Sequence, residues 1–403
     1  MADIHEKLDN LNCGMDTLAV FRSLLDDKVL SILKELLRES ADDDHFNIGR
    51  YSQFAAELYS HNVNFSEYLL KTVLEDENFY IAGKAAGKEF DDCIEDAVSA
   101  ELSFLQELSH LTPDEASYGY YRIYPLPRWK NSDIDFAAEY RKRISDIGLH
   151  GYGKFAKSPM FILRDGEIIP VNHPDKQRLS ELYGYESERQ AVINNTLALL
   201  EGKPAQNVLL YGDAGTGKSS TVKAVVNEYA DRGLRLIEIT KEQLRDIPRI
   251  IESISGNPLK FIIFIDDLSF ASDEDCFGAL KATLEGSVSA RNSNTAIYAT
   301  SNRRHLVKES FSDRSGDDIH RNDSMQETLS LSARFGLRVN FGRPDKKAYI
   351  AIAAELAGNC GIDIPGEELA LKAEQFALQG SGRSPRTAKQ FVNQLINEHK
   401  EGN

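Results

Sequence analysis

The run Gly212-Asp213-Ala214-Gly215-Thr216-Gly217-Lys218-Ser219 sets three glycines, a lysine and a hydroxyl at the spacing G-x-x-x-x-G-K-S. Residues of these types at this spacing suit a phosphate chain. Glycine lets the backbone turn so that successive N–H groups point inward at phosphate oxygens. A helix starting at the lysine adds the partial positive charge of its N-terminus. Lys218 is expected to reach the β- and γ-phosphates, and Ser219 to ligate Mg2+. The expected nucleotide contacts in this stretch are Gly212, Asp213, Ala214, Gly215, Thr216, Gly217, Lys218, Ser219 and Ser220. A second stretch, FIIFIDD, ends an apolar run at Ile265 with the acid pair Asp266-Asp267. Asp266 is placed to hold Mg2+ directly or through water. Asp267 is placed to orient or deprotonate an attacking water. Together the two stretches predict a site for hydrolysing a nucleoside triphosphate.

Such residues need strands that end side by side. Apolar, β-branched runs occur at Val208–Tyr211, Leu234–Ile239, Phe261–Ile265, Thr295–Thr300 and Arg338–Phe341, with helical stretches between them. That alternation predicts a three-layer α/β P-loop core with a five-stranded parallel sheet. After Pro344 only helical patterns remain, near Lys346–Ala357, Glu367–Leu378 and Pro385–Glu398. Before the core, three- and four-residue apolar spacing over Leu18–Ser40, Phe54–Leu74 and Asp91–Leu111 predicts a mostly helical domain. Met160–Val171 reads as a hairpin turning at Asp165-Gly166. The expected domains are 1–165, helical and available for a partner; 166–345, the nucleotide-binding α/β core; and 346–403, helical.

Composition narrows the partners. The 403 residues carry 41% hydrophobic and 27% charged side chains and a formal net charge of -16. That balance disfavours non-specific grip on nucleic acid, which wants a basic face, though Ser301–His305 (SNRRH) is locally basic. The four cysteines, Cys13, Cys93, Cys276 and Cys360, form no C-x-x-C pair. They read as idle thiols in a reducing cytoplasm rather than a zinc or disulfide framework. No apolar run of about 18 residues points to a membrane span, and the N-terminus has no basic-then-apolar leader pattern.

The chain from Leu179 onward resembles AAA+ ATPases. The likeness rests on NVLLYGDAGTGKSS, RLIEITKEQL, FIIFIDDLSF, IYATSNRRHL, LSARFGL and SGRSPRTAKQF, and on PDKQRLSELYGYESERQ ahead of them. It looks most like an uncharacterised bacterial AAA+ family, a domain of unknown function. The resemblance implies ATP and Mg2+ as ligands, an ATP-binding AAA+ core over 166–345 and a C-terminal helical lid over 346–403. It makes Asn302 the polar residue between the acid pair and the γ-phosphate, which suits an amide that senses that phosphate. It makes Arg334, with Arg338 as competitor, the arginine finger presented to a neighbouring subunit of a homo-oligomer. Arg386 becomes the lid arginine, with Arg383 as the alternative, and Tyr183 lines the adenine pocket with its neighbours. Two departures matter. The second acid is aspartate, as in replication-initiator ATPases, where many members have glutamate. The segment ITKEQLRDIPRII lacks the pore-loop aromatic of threading unfoldases. The expected function is therefore an ATP-driven switch or remodeller of a protein client, the alternative being a nucleic-acid loader or initiator. The polar stretch Lys308–Ser330 is expected to be a loop, and His305 and His320 have no second ligand at useful spacing.

Overall fold

The computed structural model describes residues 2–38, 44–117, 124–268, 276–285, 294–302, 332–362, 364–380 and 382–401. The stretch Lys308–Ser330, with His320, and His305 lie outside them. The chain divides into two compact units, Met1–Lys157 with Gly256–Pro258, and Ser158–Ser255 with Leu259–Asn403.

The first unit is helical among its described residues. Its core gathers large apolar side chains such as Phe21, Phe54, Phe65, Trp129 and Phe136. Phe54 meets Phe65 and Trp129 edge-on, at 5.6 and 5.0 Å between ring centroids. The pattern read over Leu18–Ser40 is not one helix. A helix over Ala2–Thr17 ends, a 3-10 turn covers Arg22–Asp26, and a new helix runs Lys28–Arg38. The pattern breaks at Asp27, which is extended and accepts the Leu30 N–H at 3.1 Å, capping the helix that follows. Ahead of that break the buried Glu101 carboxylate, on the helix Asp92–Ser109, accepts the N–H groups of Ala19, Val20 and Phe21 at 2.9–3.1 Å. The pattern over Phe54–Leu74 likewise breaks. Asn64 caps a fresh helix, Phe65–Leu74, by accepting the Glu67 N–H.

The second unit is built on a sheet whose strands are β1 (Met160–Arg164), β2 (Glu167–Pro170), β3 (Val208–Gly212), β4 (Leu234–Ile239), β5 (Lys260–Ile265), β6 (Thr295–Ser301) and β7 (Leu337–Phe341). Their order is β2-β1-β4-β5-β6-β3-β7. The five expected strands form the contiguous block β4-β5-β6-β3-β7, every neighbour parallel. Among the described residues the sheet nevertheless has seven strands, not five. Outside β4, strand β1 pairs in parallel from Met160↔Leu236 to Ile162↔Glu238, and β2 folds back antiparallel on β1. The hairpin thereby satisfies backbone groups that an edge at β4 would leave open. It turns through Asp165 and Gly166, both at positive φ. An expected domain boundary at 165 would cut this turn, and the division of units falls ahead of β1.

Strand β5 is buried from Phe261 to Ile265 and β4 nearly throughout, as parallel strands covered on both faces must be. Beyond β7 come three helices, Lys346–Asn359, Gly366–Gln379 and Pro385–Glu401. They share an apolar cluster that includes Tyr349, Ile352, Leu369, Phe391 and Leu395. Asp345 starts the first of them by accepting the Ala348 N–H at 2.7 Å. No described helix is long and apolar enough to cross a membrane.

Candidate nucleotide site

Strand order decides what can meet. The phosphate loop follows β3 and the acid pair follows β5, while β6 lies between those two strands. Register aligns their ends, with Tyr211 opposite Ser301 and Ile265 opposite Ala299. The residue after β6, Asn302, therefore reaches both sides. Its Oδ1 accepts from Lys218 Nζ at 2.9 Å, and its Nδ2 donates to Asp267 Oδ1 at 2.7 Å.

The loop itself is held by its backbone. Gly212 has φ 136°, and a Cβ there would sit 2.2 Å from the Phe341 carbonyl oxygen. Only glycine fits, so β3 and β7 close on each other, and Asp213 N donates to that same oxygen at 3.1 Å. Asp213 also accepts the Arg343 N–H at 3.0 Å, which ties the loop to the segment leading from β7 to the lid. Lys218 begins the helix Lys218–Tyr229 and is buried. Its Nζ donates to the Gly212 and Asp213 carbonyls at 3.1 and 2.7 Å. Burial pulls the ammonium below the usual lysine pKa, while Asp213, Asp267 and Asp266 oppose that shift and the Arg386 charge adds to it.

Ser219 and the first acid are brought into contact. Ser219 Oγ donates to Asp266 Oδ1 at 2.6 Å. The serine proton is thereby turned away, and its lone pairs are left for a cation. Hydroxyl and carboxylate oxygens are the hard donors that suit Mg2+. Asp267 has φ 52°, the left-handed region that aspartate tolerates better than most residues.

The lid arginines separate. Arg383 is committed to Glu374, donating through Nε at 3.1 Å and through NH2 to its other oxygen. Arg386 instead lies against the loop. Its N–H donates to the Gly215 carbonyl at 3.2 Å, and a Cβ on Gly215, at φ 76°, would come 3.2 Å from Arg386 Cβ. Arg334 is exposed just ahead of β7, as is Arg338 on it.

A cavity of about 550 Å³ opens beside the loop-to-lid segment, lined by Gly184, Tyr185, Asn340, Arg343, Ile352 and Glu355 among others. Tyr185 forms its wall. The ring stacks on Phe341 at 5.2 Å between centroids, and the hydroxyl donates to the Gly342 carbonyl at 2.6 Å. Burial, with Glu188 and Asp213 nearby, pushes that phenol up to about 12. Tyr183 does not line the cavity. It packs against the lid cluster, and its hydroxyl accepts from Asn359 Nδ2 at 2.8 Å. Sequence reasoning also passed over Thr300 and the link from Asp213 to Arg343, neither of which belongs to a spacing pattern.

Known proteins resemble parts of this chain. A Replication factor C large subunit of Staphylothermus marinus is 32% identical over 116 residues, which is 27% of this chain and 27% of that protein. A 26S proteasome regulatory subunit 4 homolog of Saccharomyces cerevisiae is 38% identical over 115 residues, 25% of this chain and 26% of that one. The chain thus spans about a quarter of the length of these curated relatives. Among solved structures, the Thermotoga maritima RuvB Holliday junction branch migration motor matches at TM-score 0.38 and 16% identity, over 55% of this chain and 64% of that one. A family model matches residues 157–399, more than half of the chain. The chain belongs to the AAA+ P-loop family described as "Protein of unknown function (DUF815)".

Proposed function

We propose that this chain binds ATP with Mg2+ between the phosphate loop and the lid, hydrolyses it, and uses the change to switch or remodel a protein client. The observation that carries this reading is the run of contacts Lys218–Asn302–Asp267 beside Ser219–Asp266, which joins the ends of β3, β5 and β6. Backbone N–H groups of the loop and Lys218 bind the phosphates. Ser219 and Asp266 hold Mg2+, which neutralises charge on the phosphate oxygens. Asp267 orients and accepts a proton from the attacking water, and Asn302 fixes Asp267 relative to Lys218. Arg386, on the lid, reads the phosphates through its guanidinium. The cavity walled by Tyr185 takes the base.

Arg334, exposed in this chain, completes the site of a neighbouring copy in a homo-oligomer. The helical first unit selects the client, and the protein works in the cytoplasm. A second reading, a nucleic-acid loader or initiator, is favoured by the aspartate pair and by the likeness to a replication factor subunit; the net charge of -16 weighs against it. The test is phosphate release per subunit across protein concentration, for the native chain, Lys218→Ala and Arg334→Ala. Turnover rising with concentration and lost in both variants, with ATP still bound by Arg334→Ala, supports a shared site. Turnover independent of concentration and intact in Arg334→Ala contradicts it. A salt-dependent shift of DNA on adding the protein with ATP would move the client to nucleic acid.

A further inference from the structure

We infer that Thr300 is a positioning residue that sets both acids of the site through one hydroxyl; the inference rests on the ATPase reading above. Thr300 is the penultimate residue of β6 and is 2% exposed. Its Oγ1 donates to Asp266 Oδ1 at 2.5 Å and accepts the Asp267 N–H at 2.9 Å. Its carbonyl accepts the Leu268 N–H at 2.7 Å. One side chain and one carbonyl thus pin three consecutive residues after β5.

Two consequences follow from the geometry. Asp266 Oδ1 takes donors from Ser219, Thr300 and the Asp267 N–H, while its Oδ2 takes none from the described residues. The carboxylate is thereby rotated with one oxygen anchored and the other open to a cation. Groups that hold a metal ligand's orientation in this way govern metal affinity as the ligands themselves do. Asp267, in turn, keeps its left-handed backbone because its N–H is held at Thr300 and its carboxylate at Asn302. A sparsely populated conformation persists only when its surroundings over-determine it. Asn302 lies two residues beyond Thr300, so the strand end that contacts Lys218 also sets the acids.

The experiment compares Thr300→Ser, Thr300→Ala and Thr300→Val in the full chain, with unfolding monitored by circular dichroism. Binding of a fluorescent ADP is measured with Mg2+ and with EDTA. In the native chain Mg2+ should tighten binding. The serine variant should keep that gain. Alanine and valine, which differ in size but both lack the hydroxyl, should lose it by about 10- to 100-fold while binding in EDTA stays unchanged. Their ATP turnover should fall in kcat more than it rises in KM. The alanine–serine pair carries the test even where valine does not fold. An alanine variant with the native Mg2+ gain, or a serine variant as impaired as alanine, overturns the inference and leaves the ATPase reading standing. A native chain whose nucleotide binding ignores Mg2+ overturns both.

Discussion

Replacing Gly212 by alanine should cost far more than replacing Gly217, although both glycines belong to the phosphate loop and both have positive φ. At Gly217, φ is 92° and nothing lies within 4 Å of an added Cβ. Only backbone strain is paid, about 1–2 kcal/mol. At Gly212 the strain is about 1–3 kcal/mol, and the added Cβ would stand 2.2 Å from the Phe341 oxygen and 3.1 Å from Gly342 N. Those are backbone atoms, so relief means parting β3 from β7 at their ends. That loses the Asp213 N–H to Phe341 oxygen bond, worth about 1 kcal/mol. It also strains the Gly212↔Phe341 pairing and the Arg343 N–H to Asp213 bond beyond it. With about 1 kcal/mol more for those strained contacts, the sum is about 3–5 kcal/mol for Gly212→Ala, or roughly 6–20 °C in Tm for a unit of this size. Thermal unfolding by calorimetry without nucleotide, with Gly256→Ala as the unstrained comparison, reads the difference. Equal losses for Gly212→Ala and Gly217→Ala would show that β3 and β7 do not close on each other as described.

Further predictions concern the lid and the helical unit. Arg386→Ala should weaken ATP binding about tenfold or more, whereas Arg383→Ala should act on lid stability and change affinity little; titration with a fluorescent ATP checks both. Because Arg383 holds the Glu374 carboxyl below its usual range, their pairing contributes fully above the ordinary glutamate pKa and fades as pH falls through the lowered one. Carboxyl-carbon NMR of Glu374 should show that lowered midpoint, and Arg383→Ala should raise it. Glu101→Ala, which leaves the Ala19, Val20 and Phe21 N–H groups without their carboxylate, should destabilise the first unit by about 2–4 kcal/mol, read in urea unfolding.

Much of the site was legible because phosphate chemistry demands fixed spacings along the chain. The loop from Gly212 to Ser219, and Asp266-Asp267 after an apolar run, are local patterns, and each of the five expected strands appears within a residue of its anticipated bounds. What the pattern could not carry was pairing. The hairpin's joining of β4 depends on register between segments more than 60 residues apart, and no local signal encodes it. The helix read over Leu18–Ser40 broke for a different reason. The periodicity was real, but Asp27 within it takes extended backbone and caps a new helix through the Leu30 N–H, and apolar spacing does not register a cap inside its own run. Thr300 escaped notice because a threonine in a strand looks like any β-former until its neighbour strand is known. The choice between Arg383 and Arg386 rested on resemblance alone. In the folded chain Glu374 binds the first, and the loop lies against the second.

The proposed hydrolysis depends on Asp267 more than on any other side chain. ATP binding and steady-state phosphate release should be measured together for the native chain and Asp267→Asn, which keeps the side chain's size and its contact with Asn302 Nδ2 while removing the base. With Asp267 as the base, Mg2+–ATP affinity should stay within a few-fold and turnover should fall by about 100-fold or more. Native turnover in Asp267→Asn would contradict that role, since the residue joined through Asn302 to Lys218 would then have no part in hydrolysis.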